Sequence, residues 1–229
     1  MKDKKVTAII LVAGNSTRYG QNRNKNLENI SGKTILEYSL DKFNKNPNIT
    51  DIIITCKKDE LEFINEIIYK SRSLKPIKTV IGGNSRKESV FNSINSTNSD
   101  IVIIHDGARP MIKDSYINNS IHEMNNYKGV TIGVKSKDTI KIADKNGIIK
   151  STTKRENTWI IQTPQCFDRL TLINAHNHSK DDSSITDDCM LLENYGETVK
   201  IIPGDYTNIK LTTYDDLNIV NELLKNISY

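Results

Sequence analysis

Val6-Thr7-Ala8-Ile9-Ile10-Leu11-Val12 runs directly into Ala13-Gly14-Asn15-Ser16-Thr17-Arg18-Tyr19-Gly20, and Lys25 stands seven residues beyond Arg18. The first stretch is aliphatic and rich in β-branched residues, and reads as a buried strand. The second is built of small residues, so a ligand can approach the backbone and successive N–H groups can meet phosphate oxygens. Arg18 and Lys25 add the positive charge that a polyphosphate requires. A strand-to-loop turn this near the N-terminus opens the first unit of an α/β sheet. The loop has neither the Gly-Lys-Ser/Thr ending of a P-loop nor a Gly-x-Gly-x-x-Gly fingerprint. Taken by itself, it fits a phosphate site and an ordinary glycine-containing turn equally well.

Beyond this loop the pattern alternates. Residues 49–55, 77–81, 101–105 and 130–134 are short, apolar and β-branched, as buried parallel strands are. Residues 34–43, 60–71, 86–94 and 115–127 place apolar side chains at helical spacing. The alternation predicts a three-layer α/β sheet with right-handed crossovers and its ligand beyond the carboxyl ends of the strands. One segment departs from it. Residues 138–143 and 148–153 flank Asp144-Lys145-Asn146-Gly147, and the Asn-Gly pair predicts a hairpin because both residues tolerate positive φ. Its arms read as too polar to fill a core. An isolated two-stranded ribbon is marginal, so an arm reaching for another chain is favoured over a surface ribbon.

At 229 residues and 36% hydrophobic composition, the chain fits one α/β domain, residues 1–229. Its net charge of +4, with no clustered basic tail, suits a small anionic substrate better than a nucleic acid. Aromatic residues at 6% are too few for base-stacking platforms. Cys56, Cys166 and Cys189 have no metal-ligand spacing and read as reduced thiols of a cytoplasmic protein. No apolar run reaches membrane-spanning length, so no membrane partner is expected.

Several polar clusters fall at predicted strand ends. Gly82-Gly83-Asn84-Ser85-Arg86-Lys87-Glu88-Ser89 offers a bare backbone for a flat base, with Ser85 or Asn84 as helix cap and Ser89 facing back. In His105-Asp106-Gly107-Ala108-Arg109-Pro110, a carboxylate at a strand's carboxyl end is placed to hold Mg²⁺, a hard cation that prefers oxygen. His105 reads as structural, and Arg109 can pair with Asp106. Thr153-Lys154-Arg155 sets cations beside the Thr163-Pro164 turn. Thr186-Asp187-Asp188 reads as a helix cap with first-turn acids, and Lys210 falls on a short strand before a helix beginning at Tyr214.

In this order and spacing, the clusters resemble the bacterial 2-C-methyl-D-erythritol 4-phosphate cytidylyltransferases, relatives of the ribitol-5-phosphate cytidylyltransferases. The matching blocks also include Asp138-Thr139-Ile140-Lys141, Gln162-Thr163-Pro164-Gln165 and Asn208-Ile209-Lys210-Leu211-Thr212, and together they span nearly the whole chain. The resemblance implies a three-layer Rossmann-like nucleotidyltransferase sheet with a protruding β-hairpin arm, residues 137–157, that joins a homodimer. It implies that CTP and a sugar-alcohol phosphate react with Mg²⁺ present. Arg18, Lys25 and Lys210 would be catalytic. Ala13, Gly14, Gly83, Ser89 and Asp106 would hold the nucleotide, Asp106 through the metal. Thr139, Arg155 and Lys210 would grip the acceptor phosphate, the first two from the partner's arm. Two positions depart from the family's pattern: Ser16 stands where a second glycine is usual, and Asn26 where Gln or Pro follows the lysine. Two rivals remain at this point, a pentitol-phosphate cytidylyltransferase and a non-catalytic nucleotide-binding module.

Overall fold

A computed structural model of the protein describes residues 4–14, 19, 24–179 and 185–225. A seven-stranded sheet forms its middle layer. The strands are β1 (Val6–Leu11), β4 (Asp51–Cys56), β5 (Ile77–Ile81), β6 (Ile101–Asp106), β7 (Gly129–Lys135), β10 (Trp159–Asp168) and β11 (Val199–Pro203). They lie in the order β11-β7-β10-β6-β1-β4-β5, and β10 alone runs against its neighbours. The chain steps from β1 outward to β4 and β5, then returns to place β6 on the other side of β1. That reversal opens a crevice at the carboxyl ends of β1 and β6, where open α/β sheets bind ligands.

Burial follows from the pleat. Val6, Ala8, Ile10 and Val12 point to one face with Leu36, Leu40 and Phe43 of α1 (Ile35–Lys45), Ile64 and Ile67 of α2 (Leu61–Ser71), and Ile117 and Ile121 of α4 (Asp114–Glu123). Ile9 points to the other, against α3 (Arg86–Asn95), α5 (Arg169–His178) and α6 (Asp188–Tyr195). A third cluster packs α7 (Tyr214–Lys225) through Val220 and Leu224 against Ile30, Ile35 and Leu211. The predicted three-layer α/β architecture is therefore the observed one.

The differences have local causes. Helix α4 stops at Glu123 instead of reaching residue 127. Asn125 bonds the His122 carbonyl with both its backbone N–H and its side chain, a competition that ends helices. The predicted hairpin forms as β8 (Lys141–Ala143) and β9 (Ile149–Thr152), but at its tip only Gly147 has positive φ, +80°. A turn closed from Gly147 N–H to Asp144 C=O, followed by a register shift, replaces the two-residue Asn-Gly turn. Every residue of both strands is exposed, so the arms fill no core among the described residues, and Ile142, Ile148 and Ile149 are exposed on them. An unpredicted hairpin, β2 (Asn29–Ile30) and β3 (Lys33–Thr34), turns at Ser31 and Gly32, both with positive φ. Lys210 lies in no strand; a single backbone bond from Leu211 N–H to Ala108 C=O ties its segment to the loop after β6.

Phe167 on β10 is fully buried between β6 and β7. Phe167→Ala is expected to cost about 3–5 kcal/mol of stability in urea denaturation, the usual penalty for emptying an aromatic core site. A loss below about 1 kcal/mol would contradict this packing.

Candidate functional site

Two clefts open at the carboxyl end of the sheet, of about 640 and 580 Å³, and they share Arg86, Asp106 and Lys210. The loop after β1 brings Ala13 and Gly14 to the first cleft, the loop after β5 brings Gly83, and α3 brings Ser89. Lys25 and Lys210 line it as well. Sequence-predicted residues from five separate segments thus meet around one space. Ser16 and Arg18 lie outside the described residues.

Local geometry explains each placement. Ser85 is the cap of α3, accepting from Glu88 N–H at 3.1 Å, which orients the glycine turn before it. A Cβ on Gly82 would stand 2.6 Å from Ala13 Cβ, so glycine is required where the β1 and β5 loops meet. Gly83 N–H donates to Ser89 Oγ at 3.0 Å, and Ser89 donates onward to the Ser85 carbonyl at 2.8 Å. Lys25 opens a short 3-10 turn held by Asn24, whose amide donates to Val12 C=O at 2.7 Å and to Glu60 at 2.8 Å. Asn24 also accepts from the backbone and side chain of Asn26, so Asn26 serves to brace the Lys25 turn.

Charge is concentrated at Asp106. Lys210 Nζ lies 2.7 Å from its Oδ2, Arg109 Nε 3.8 Å from the same oxygen, and Arg86 Nε 3.7 Å from Oδ1. Burial alone would raise the Asp106 pKa, but Lys210, Arg86 and Arg109 together hold the carboxyl well below the usual carboxylate range. Arg86 is itself anchored by a 2.7 Å bond to Asp188. Burial works against the Arg86 charge, yet Asp188 and Asp106 outweigh it and raise its pKa. Asp188 is fully buried, and burial pushes its carboxyl up against the pull of Arg86. This corrects the reading of Asp188 as a mere first-turn acid. The cap of α6 is Asp187, bonded to Met190 N–H at 3.0 Å, and Asp188 faces inward to hold the arginine. A cap pattern fixes which residue starts a helix but not which way the next one faces.

Sequence reasoning also missed Lys57 and Lys58, which follow β4 and line the first cleft. Their signal was available, since they stand at the same strand end as Ala13 and Gly83. With them, the first cleft is lined by Lys25, Lys57, Lys58, Arg86 and Lys210 against Asp106 as its one carboxylate among the described residues. That balance suits a polyanion such as a nucleoside triphosphate. Thr139 and Arg155 are brought to each other, Arg155 Nη2 donating to Thr139 Oγ1 at 2.9 Å, but both are exposed on the arm and line neither cleft.

His105 is fully buried behind Asp106. Burial lowers its pKa to about 4, and burial likewise lowers that of His176 on α5 to about 4.

The sequence profile of the family described as 2-C-methyl-D-erythritol 4-phosphate cytidylyltransferase matches residues 6–226. A protein of that name from Clostridium novyi (strain NT) is 40% identical over 223 residues, covering 96% of each chain. Its counterpart from Clostridium tetani is 42% identical, covering 98% of this chain and 92% of its own. The crystal structure of a 4-diphosphocytidyl-2C-methyl-D-erythritol synthase from Anaerococcus prevotii superposes with a TM-score of 0.86 at 31% identity, over 97% of this chain and 96% of that one.

The two buried histidines set an acid limit. Unfolded, each takes up a proton near pH 6.5, whereas folded each stays neutral to about 4. The unfolded state therefore binds more protons between these values, and stability falls as pH falls. Each histidine contributes a slope of about 1.4 kcal/mol per pH unit. Urea denaturation at pH 7 and pH 5 is expected to show a loss of about 2–4 kcal/mol from this cause. Equal stability at the two pH values would contradict the buried neutral state.

Proposed function

The chain belongs to the 2-C-methyl-D-erythritol 4-phosphate cytidylyltransferase family, and we propose how its residues carry out that family's reaction. It is an enzyme that joins CTP to 2-C-methyl-D-erythritol 4-phosphate, giving 4-diphosphocytidyl-2-C-methyl-D-erythritol and pyrophosphate. The observation that carries the residue assignment is the cation-lined first cleft beyond β1 and β6, which meets the second cleft at Asp106 and Lys210. CTP takes the first cleft and the acceptor approaches through the second.

The acceptor phosphate is largely dianionic at neutral pH, its second pKa being about 6. One of its oxygens attacks the α-phosphorus of CTP as the bond to the bridging oxygen breaks, and pyrophosphate leaves. No proton need be removed, so positioning and relief of anion repulsion are the main requirements. Lys25 and Lys210, with Arg18, neutralise the five-coordinate phosphorus. Ala13 and Gly14 lie against base and ribose, and Gly83 with Ser89 reads the cytosine edge. Asp106 fits a single-carboxylate Mg²⁺ site: it faces the cleft, and among the described residues no cluster of carboxylates or histidines offers a closed cage. Such a site suits Mg²⁺, which takes one or two carboxylates and fills its shell with water and substrate phosphates. When bound, the ion would offset triphosphate charge, and Asp106 is the residue that would hold it.

The arm gives the acceptor its remaining contacts. Thr139 and Arg155 present a hydroxyl and a guanidinium to a partner's second cleft, where they bind the acceptor phosphate. Exposed Ile142, Ile148 and Ile149 on the same arm supply apolar surface for a homodimer. Three buried free cysteines suit a cytoplasmic enzyme. Among the described residues no helix is long and apolar enough to cross a membrane. The relatives and the solved structure described above carry methylerythritol names rather than pentitol ones. A non-catalytic module would be free to lose Lys25 or Lys210, and both line the cleft.

Pyrophosphate release from CTP and 2-C-methyl-D-erythritol 4-phosphate with Mg²⁺ tests this reading, and silence with that acceptor would contradict it. Lys25→Ala is expected to lower kcat by about 10²–10³-fold, the size expected for loss of one transition-state donor. Near-normal turnover would remove Lys25 from the catalytic set. Arg155→Ala should raise KM for the acceptor while leaving KM for CTP unchanged, and a matching rise for CTP would contradict its place on the acceptor.

A further inference from the structure

His105 is a titratable group beside the reacting site that the mechanism above does not use. It is fully buried on β6, edge-on to Phe43 with ring centroids 5.5 Å apart, and it lines neither cleft. Its Nε2 lies 3.0 Å from the Arg109 carbonyl oxygen. A carbonyl can only accept, so Nε2 carries the proton. Of the two groups bonded to Thr163 Oγ1, the Asp106 N–H can only donate, so the hydroxyl proton goes to Nδ1, which is therefore bare. Nδ1 lies 3.0 Å from Thr163 Oγ1 and accepts that hydroxyl's single proton. Thr163 Oγ1 is then free to accept, and the Asp106 N–H lies 3.1 Å away and donates to it. The direction of every bond is thereby set, from Asp106 N–H through Thr163 and from His105 onward to the Arg109 carbonyl.

The two ends of this relay are the two ends of one turn, which Arg109 N–H closes onto Asp106 C=O at 3.0 Å. Arg109 Nη1 donates to Asn208 C=O at 2.8 Å, and the Asn208 amide donates to Thr163 C=O at 3.0 Å. Lys210 follows two residues later. We propose that His105 is a positioning residue, locked as the Nε2–H tautomer, that with Thr163 sets the Asp106–Arg109 turn and so aims the charged groups of the site. This role rests on the cytidylyl-transfer reading for its kinetic consequence, but its hydrogen-bond pattern does not.

The test has two arms. In the wild-type protein, ¹⁵N NMR of the imidazoles at pH 7 is expected to show His105 neutral, with Nε2 protonated and Nδ1 bare. An Nδ1–H tautomer or an imidazolium would overturn the proposal, whether or not the protein turns over CTP. In kinetics, Thr163→Val removes the hydroxyl while keeping the volume. His105→Gln keeps an amide donor for Arg109 but puts no acceptor at the Nδ1 position that faces Thr163. Each should lower kcat about 10–100-fold, the scale of a misplacement of about 1 Å. KM for CTP should change by no more than about threefold, and the double variant should be no worse than the poorer single one, because both break one relay. Thr163→Ser should recover most of what Thr163→Val loses. A Thr163→Val enzyme with wild-type kcat, or losses that multiply in the double variant, would overturn the relay. Absence of pyrophosphate release by the wild-type protein would instead refute the reaction, leaving the NMR result to decide the tautomer.

Discussion

Asp106, a buried carboxylate, faces Arg86, Arg109 and Lys210 together at the switch point of the sheet, and the rest of the site is arranged around that meeting of charges. Three cations so close together repel one another, and each must be held by bonds of its own. Arg86 is held by Asp188 from α6. Arg109 is held through Asn208, and its backbone through His105. Lys210 rides on a segment fastened to the β6 loop by the Leu211–Ala108 bond. Taking charges out of water is costly unless each is paired, and these pairings come from elements far apart in sequence. The packed sheet provides the rigid frame that brings them together.

Much of this was legible in the sequence because strands and cleft obey simple periodicities. Short β-branched runs bounded by polar residues have few other uses, so the pattern marks β5 at its observed bounds and β4, β6 and β7 to within two residues at either end. Ala13, Gly14, Gly83 and Asp106 stand at or just beyond carboxyl strand ends, where such sheets bind ligands, while their nucleotide roles, like that of Ser89 on α3, are what the family resemblance implies. Asp188 escaped because a helix-cap pattern explained it completely while saying nothing about long-range partners. Lys210 lines both clefts, but the strand expected for it does not form: one backbone bond, from Leu211 to Ala108, stands where a ladder would be. At the hairpin tip, Asn-Gly correctly signalled a turn, but the register slip that left only Gly147 at positive φ is a property of the paired strands.

The same division explains why the arm stands apart from the body. β8 and β9 pair only with each other, and their exposed isoleucines find no core within the described residues of this chain. Thr139 and Arg155 are joined to each other at the base of the ribbon instead of to the cation cluster. In the proposed dimer each site would join one chain's clefts to the partner's arm.

The state of the Asp106 carboxyl is the quantity on which this arrangement turns, and ¹³C NMR of selectively labelled aspartate reads it directly in the free enzyme. The three cations should keep Asp106 ionised, with no titration step on lowering the pH from 8 to 4. A midpoint in the ordinary aspartate range near 4, or above it, would mean that Arg86, Arg109 and Lys210 do not converge on this carboxylate as described.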